Sequence, residues 1–177
     1  MIQIKDKTFE VFIPEAGLAE KVAAVAERLN REYEGKTPVF VAVLNGSFMF
    51  AADLLKKIRI PCEITFVKVA SYHAMHSTGK VKELIGLTED LAGRHVVVVE
   101  DIVDTGITME QIVAQLRTHR PASIKTAVLL FKPEALQRDV TLDYVCFEIA
   151  NRFVVGYGLD YDGYGRNLAS LYVLKEG

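Results

Sequence analysis

Residues 96–108 read VVVVEDIVDTGIT and bring three carboxylates close together, at Glu100, Asp101 and Asp104. Four consecutive valines come first, the pattern of a strand buried on both faces. Thr105, Gly106, Ile107 and Thr108 follow, at the head of a helical pattern. Carboxylates in this place supply oxygen ligands for Mg2+ or acceptors for ribose hydroxyls. The N-terminus of the next helix supplies unpaired backbone N–H groups and a favourable dipole for an anion. A ligand that needs both is a phosphorylated sugar. Glu100 and Asp101 taken alone read equally well as solvated acids capping a helix, and Asp104 as a partner of its dipole.

Other residues are placed to act with them. Asn45-Gly46-Ser47 is a tight turn between an apolar run, 38–44, and a helical face of Phe48, Ala51, Leu54, Leu55 and Ile58. Lys132 follows the apolar Leu129-Leu130-Phe131, and residues 160–168, DYDGYGRNL, are too polar and glycine-rich for a packed element. His73 and His76 lack a partner at ligand spacing and read as loop residues.

The elements that must hold these groups follow from periodicity. Leu18, Val22, Val25, Leu29 and Tyr33 mark a helix over 14–33, and Met109, Ile112, Val113 and Leu116 mark another, with Thr108 and Gln111 at capping-box spacing. Strands are expected at 38–44, 63–70, 94–100, 123–131, 144–147 and 153–157, and 71–83 has little apolar periodicity. Continuous apolar strands alternating with amphipathic helices predict an α/β fold with a parallel sheet covered on both faces. In such a sheet ligands lie beyond the carboxyl ends of the strands, where both informative turns fall.

Composition excludes several classes. The chain has 177 residues, half of them hydrophobic and a quarter charged, as in one ordinary globular domain spanning 1–177. A net charge of −2 gives no support to nucleic acid as a partner. Cys62 and Cys146 lie far apart in apolar runs and read as buried thiols, and no membrane span or signal peptide is seen, so a reducing cytoplasm is expected.

Residues 96–108 resemble the phosphoribosyl diphosphate (PRPP) binding motif of the type I phosphoribosyltransferases. The chain as a whole is similar to one branch of them, the hypoxanthine(-guanine) phosphoribosyltransferases. The resemblance runs in order through 41–54 (VAVLNGSFMFAADL), 67–72 (VKVASY), 77–83 (STGKVKE), Lys132 and 153–168 (FVVGYGLDYDGYGRNL).

The resemblance implies a Rossmann-like type I phosphoribosyltransferase core with a small hood formed by the terminal segments, and a mobile loop at about 71–84. It implies that Glu100 and Asp101 hold the ribose hydroxyls, and that Thr105, Gly106, Ile107 and Thr108, with Asp104, cradle the 5′-phosphate. Asp104 would also be the general base at N7 of a 6-oxopurine, an acid that relatives acting on adenine or orotate usually lack at this turn position. Asn45, Gly46, Ser71, Tyr72 and Arg166 would meet the diphosphate. Asn45 stands where relatives often carry Lys or Arg, so that contact would run through backbone amides. Lys132, Phe153, Val154 and Asp160 would bind the purine, Mg2+ would sit on Glu100 and Asp101, and Asp160 would help position a second Mg2+. The implied activity is phosphoribosyl transfer from PRPP to hypoxanthine, and to guanine, by a homodimer or homotetramer.

Two alternatives remain at this stage. A non-enzymatic nucleotide- and RNA-binding regulator on the same fold would want a basic surface and would tolerate loss of Asp104 or Lys132. An unrelated Mg2+-dependent phosphatase or kinase would want a Walker-type loop or a nucleophilic aspartate.

Overall fold

The computed structural model describes residues 1–69 and 84–175. Two N-terminal strands, β1 (Ile2–Ile4) and β2 (Lys7–Ile13), precede helix α1 (Glu15–Glu32). Then come β3 (Val39–Leu44), α2 (Phe48–Leu55), β4 (Glu63–Val69) and β5 (Leu84–Ile85). The chain continues through β6 (His95–Val103), α3 (Ile107–Thr118), β7 (Ser123–Phe131), a 3-10 turn at Pro133–Ala135 and β8 (Tyr144–Glu148), and closes with β9 (Val154–Val155) and β10 (Leu171–Leu174).

The main sheet has the order β5-β4-β3-β6-β7-β8, with β4, β3, β6, β7 and β8 parallel and β5 antiparallel to β4. The valines of β6 divide by alternation between its two faces. Val97 and Val99 join Phe40, Ala42, Leu18, Leu29 and Phe50 under α1 and α2. Val96 and Val98 join Val39, Val41, Met109, Ile112 and Leu116 under α3. Truncating any one of these fully buried leucines would cost about 2–5 kcal/mol. Buried Asn30 is satisfied on both sides of its amide, donating to Lys57 O at 2.9 Å and accepting from Arg59 N at 2.7 Å, which ties α1 to the α2–β4 connection.

From β3 the chain moves outward to β4 on one side and, with β6, to the other. The order therefore reverses between β3 and β6, the position at which such sheets open a crevice for ligands. A second, antiparallel sheet, β1-β2-β10-β9, joins the first residues of the chain to the last strands over its own small core of Ile4, Phe9 and Val155. This is the expected hood.

Three local expectations change. β6 does not stop at residue 100 but runs to Val103, because Ile102 and Val103 go on pairing with Leu130 and Phe131. Helix α3 is capped by Gly106 in the left-handed region, φ +83, and not by Thr108, which lies inside its first turn. The strand expected over 153–157 is cut to Val154–Val155, because Gly156 and Tyr157 turn left-handed at φ +101 and +47. The polar stretch after it holds a narrow bridge, Tyr161 opposite Tyr164. Leu84, at the end of the expected mobile loop, lies in β5, and the rest of that loop is outside the described residues. Among the described residues no helix is long and apolar enough to cross a membrane.

Candidate active site

The two turns flagged in the sequence meet at the β3/β6 crevice. A Cβ added to Gly46 would lie 1.5 Å from Asp101 Oδ2, so the turn after β3 is pressed against a carboxylate of β6. Glycine is required there by close approach, whatever its backbone angles. A third segment closes on the same place, since a Cβ on Gly158 would lie 2.0 Å from Gly46 O. The peptide between Leu44 and Asn45 is cis. Ser47 Oγ donates to Val43 O at 2.6 Å and pins the turn to the end of β3.

Within β6, alternation buries Glu100, at 6% exposure, and leaves Asp101 partly buried. Burial pushes the Glu100 carboxyl well above its ordinary value, and the neighbouring Asp101 charge pushes the same way. Burial raises Asp101 too, opposed by the Ile102 N–H that donates to it at 2.8 Å and by the Arg166 charge. Two adjacent acids that ionise reluctantly are a site for a cation or for hydroxyl donors.

Beyond them the chain bends around a cavity of about 230 Å³ walled by Glu100, Asp104, Thr105, Gly106 and Thr108. Thr105 Oγ1 accepts from Ile107 N at 3.4 Å, and Thr105 O accepts from Gln137 N at 2.9 Å, which anchors the turn to the segment after Pro133–Ala135. The N-terminus of α3 opens into this cavity, where its unpaired N–H groups would suit an anion.

Asp104 is half exposed and stands 3.5 Å from Lys132 Nζ, at the end of β7. Lys132 is 7% exposed, and Asn151 Oδ1 accepts from it at 3.4 Å. A fixed donor and a fixed acceptor therefore lie side by side. Phe153 is 46% exposed and Val154 is buried. Asp160 Oδ1 pairs with Arg166 at 2.6 Å while its Oδ2 accepts from Gly163 N at 2.7 Å, and Arg166 also donates to Gly158 O at 2.7 Å.

Gly46, Asp101, Gly158 and Arg166 thus meet at one place, and Glu100, Asp104, Thr105, Gly106 and Thr108 wall the cavity next to it, with Lys132 beside Asp104. Ser71 and Tyr72 lie outside the described residues. Among the described residues no three His, Cys, Asp or Glu side chains gather as a metal cluster, so Asp160 does not complete a triad with Glu100 and Asp101. Asn151, Gly158 and the backbone of Gln137 were not foreseen. Gly156, Gly158, Gly163 and Gly165, all at positive φ, carried the signal for Gly158 as closely spaced turn glycines.

Residues 15–162 match the phosphoribosyl transferase domain. The chain belongs to the phosphoribosyltransferase family. The hypoxanthine-guanine phosphoribosyltransferase of Streptococcus pneumoniae is 41% identical over 168 residues, 94% of this chain and 93% of that one. Its counterpart from Lactococcus lactis is 42% identical over 172 residues, 96% and 93% of the two chains. The crystal structure of a hypoxanthine-guanine phosphoribosyltransferase from Bacillus anthracis, with HEPES in its active site, is similar at TM-score 0.87 and 38% identity, covering 96% of this chain and 99% of that one. This phosphoribosyltransferase is accordingly a transferase enzyme with the expected fold, and the regulator reading gains no support from these relatives.

Proposed function

We propose that this phosphoribosyltransferase serves purine salvage. It transfers the 5-phosphoribosyl group of PRPP to hypoxanthine, and to guanine, and releases diphosphate with IMP or GMP. The carrying observation is the Asp104–Lys132 pair at 3.5 Å, beside a cavity that ends in a helix N-terminus. A 6-oxopurine presents the complement of that pair, an oxygen at C6 and an N7–H next to it. Lys132 donates to the oxygen, and Asp104 accepts the N7 proton as the ring bonds to C1′ and the C1′–diphosphate bond breaks. General-base help of this kind is worth ~10²–10⁴-fold. Adenine offers an amino group to Lys132 and is rejected, because donor would face donor.

The other groups position. The backbone amides of Thr105, Gly106, Ile107 and Thr108 and the hydroxyls of the two threonines hold the 5′-phosphate. Glu100 and Asp101 accept from the 2′ and 3′ hydroxyls. The amides of Asn45 and Gly46, with Arg166, Ser71 and Tyr72, hold the diphosphate. Phe153 stacks on the base, Val154 presents its backbone to the base edge, and Asp160 borders the same pocket. Mg2+ fits the donor set, because Glu100 and Asp101 are hard oxygen ligands whose charges burial opposes, and Mg2+ uses few carboxylates. Asp160, held by Arg166 and the Gly163 N–H, lies apart from that pair and would help position a second Mg2+. When bound, the ion offsets the negative charge of the diphosphate.

One domain, 1–177, carries this activity in the cytoplasm, where free Cys62 and Cys146 stay reduced. The working form is a homodimer or homotetramer, for which exposed Phe48, Ile64 and Phe66 offer apolar surface. The test is nucleotide formation from PRPP with hypoxanthine, guanine, xanthine and adenine, with and without Mg2+, in the wild type and in Asp104→Asn. Mg2+-dependent turnover of oxopurines but not adenine is expected, falling ~10²–10⁴-fold in the variant. Absence of turnover with every base would overturn the proposal.

A further inference from the structure

The turn between β1 and β2 grips the loop that carries Asp160 and Arg166, and every residue of it takes part. Lys5 pairs with Asp162 and lies 5.0 Å over the Tyr164 ring. Asp6 Oδ1 accepts from the Tyr161 hydroxyl at 2.8 Å. Lys7 lies 5.6 Å from the Tyr161 ring centroid. Lys5 and Asp162 both hold left-handed backbone, at φ +53 and +50. Non-glycine residues adopt it where surrounding contacts over-determine the turn.

Tyr161 carries this grip to Phe153. The two rings meet edge to face, 5.9 Å apart at 84°, and fully buried Phe9 backs both, at 6.0 and 6.3 Å. Phe153 is itself 46% exposed, so these two rings fix its plane.

We propose that Tyr161 is a positioning residue for the purine: clasped to Asp6 through its hydroxyl, it sets the plane of Phe153 against which the base stacks. The proposal rests on the reading of Phe153 as the stacking ring. It makes the N-terminal turn, which touches neither PRPP nor base, a determinant of base affinity. A loosened Phe153 must be ordered again by each incoming base, so the loss falls on base binding and not on the chemical step.

The experiment measures kcat, KM for hypoxanthine, KM for PRPP and Tm in Asp6→Ala, Tyr161→Phe, the double variant and Phe153→Leu. Asp6→Ala and Tyr161→Phe should each raise the KM for hypoxanthine about threefold to tenfold. The double variant should be no worse than either single, since both remove the same bond. kcat and the KM for PRPP should stay within about twofold of wild type. An unchanged hypoxanthine KM in Asp6→Ala and Tyr161→Phe, with a raised one in Phe153→Leu, overturns the clasp and leaves the stacking reading standing. Both KM values, kcat and Tm moving together also overturns it, because that is a merely structural role. An unchanged hypoxanthine KM in Phe153→Leu removes the stacking reading itself.

Discussion

The two ends of the central strands treat charge in opposite ways. At the amino ends, the acids described are answered from within the chain. Glu32 pairs with Lys125 and accepts from the Tyr144 hydroxyl, Glu63 meets Arg94 at 2.8 Å, and Asp143 Oδ2 accepts from Thr126 N at 2.9 Å. At the carboxyl ends, Glu100 and Asp101 lie side by side and burial opposes the ionisation of both. One rim of the sheet is built for stability. At the other, Asp104 and Asp160 have Lys132 and Arg166, but the Glu100–Asp101 pair is left to a ligand and carries a stability cost when empty.

Gly46→Ala is the severest way to break the carboxyl rim. Its Cβ would lie 1.5 Å from Asp101 Oδ2, and the cheapest relief is rotation of that carboxylate out of the site. kcat/KM for PRPP should fall by at least ~10²-fold with a nearly unchanged circular dichroism spectrum, as expected when a binding group is misplaced by about 1 Å.

The sharpest discrimination between the rims is Glu100→Gln. If the buried pair is a cost in the empty enzyme, calorimetry should show Tm rising by about 2–4 °C, roughly 1 kcal/mol for a domain of this size, while activity drops. A fall in Tm would mean that the carboxyl rim is as well satisfied as the amino rim.

At the amino rim the effects should reverse in kind. Tyr144→Phe removes a buried hydroxyl from Glu32 and should lower stability by about 1 kcal/mol, read as urea midpoint, with kcat/KM unchanged. The smallest effect is in acid. Lys125, and then Tyr144, hold the Glu32 carboxyl below its ordinary 4.5. A folded value below the unfolded one stabilises above about pH 4.5, and that contribution is lost as pH falls through the folded value. Glu32→Gln should therefore lower Tm modestly at neutral pH, where the contribution is present, and flatten the decline below pH 4.5, so that variant and wild type converge in acid.

How much of this was legible follows from the range of each interaction. The four valines of β6, the Leu18-Val22-Val25-Leu29 face of α1 and the Met109-Ile112-Leu116 face of α3 are local periodicities, and they predicted their elements. So did the turns at Asn45 and Asp104, because strand-to-helix junctions are written in adjacent residues. The continuation of β6 to Val103 depends on β7, and only pairing shows it. Gly106 caps α3 because Leu136, Arg138 and Val140 crowd the place where its Cβ would be, a contact between distant segments. Lys132 was expected from the family pattern, yet its contacts with Asp104 and Asn151 needed three strand ends brought together. The hood strands β1, β2 and β10 have short patterns that say little until they find one another.

The hood also imposes an order of assembly. Asp6 and Tyr161 are 155 residues apart in sequence, and β2 pairs directly with β10. At about 5–20 residues per second, the ribosome delivers β3, β6 and α3 several seconds before β10. The nascent chain can form the turn from β6 into α3 while the hairpin of β1 and β2 still lacks its partner strand. Closing so long a loop comes last, so the base half of the site is the final piece of the enzyme to exist. A ribosome stalled before Leu171 would carry a chain with the turn from β6 into α3 in place and β2 still without its partner strand.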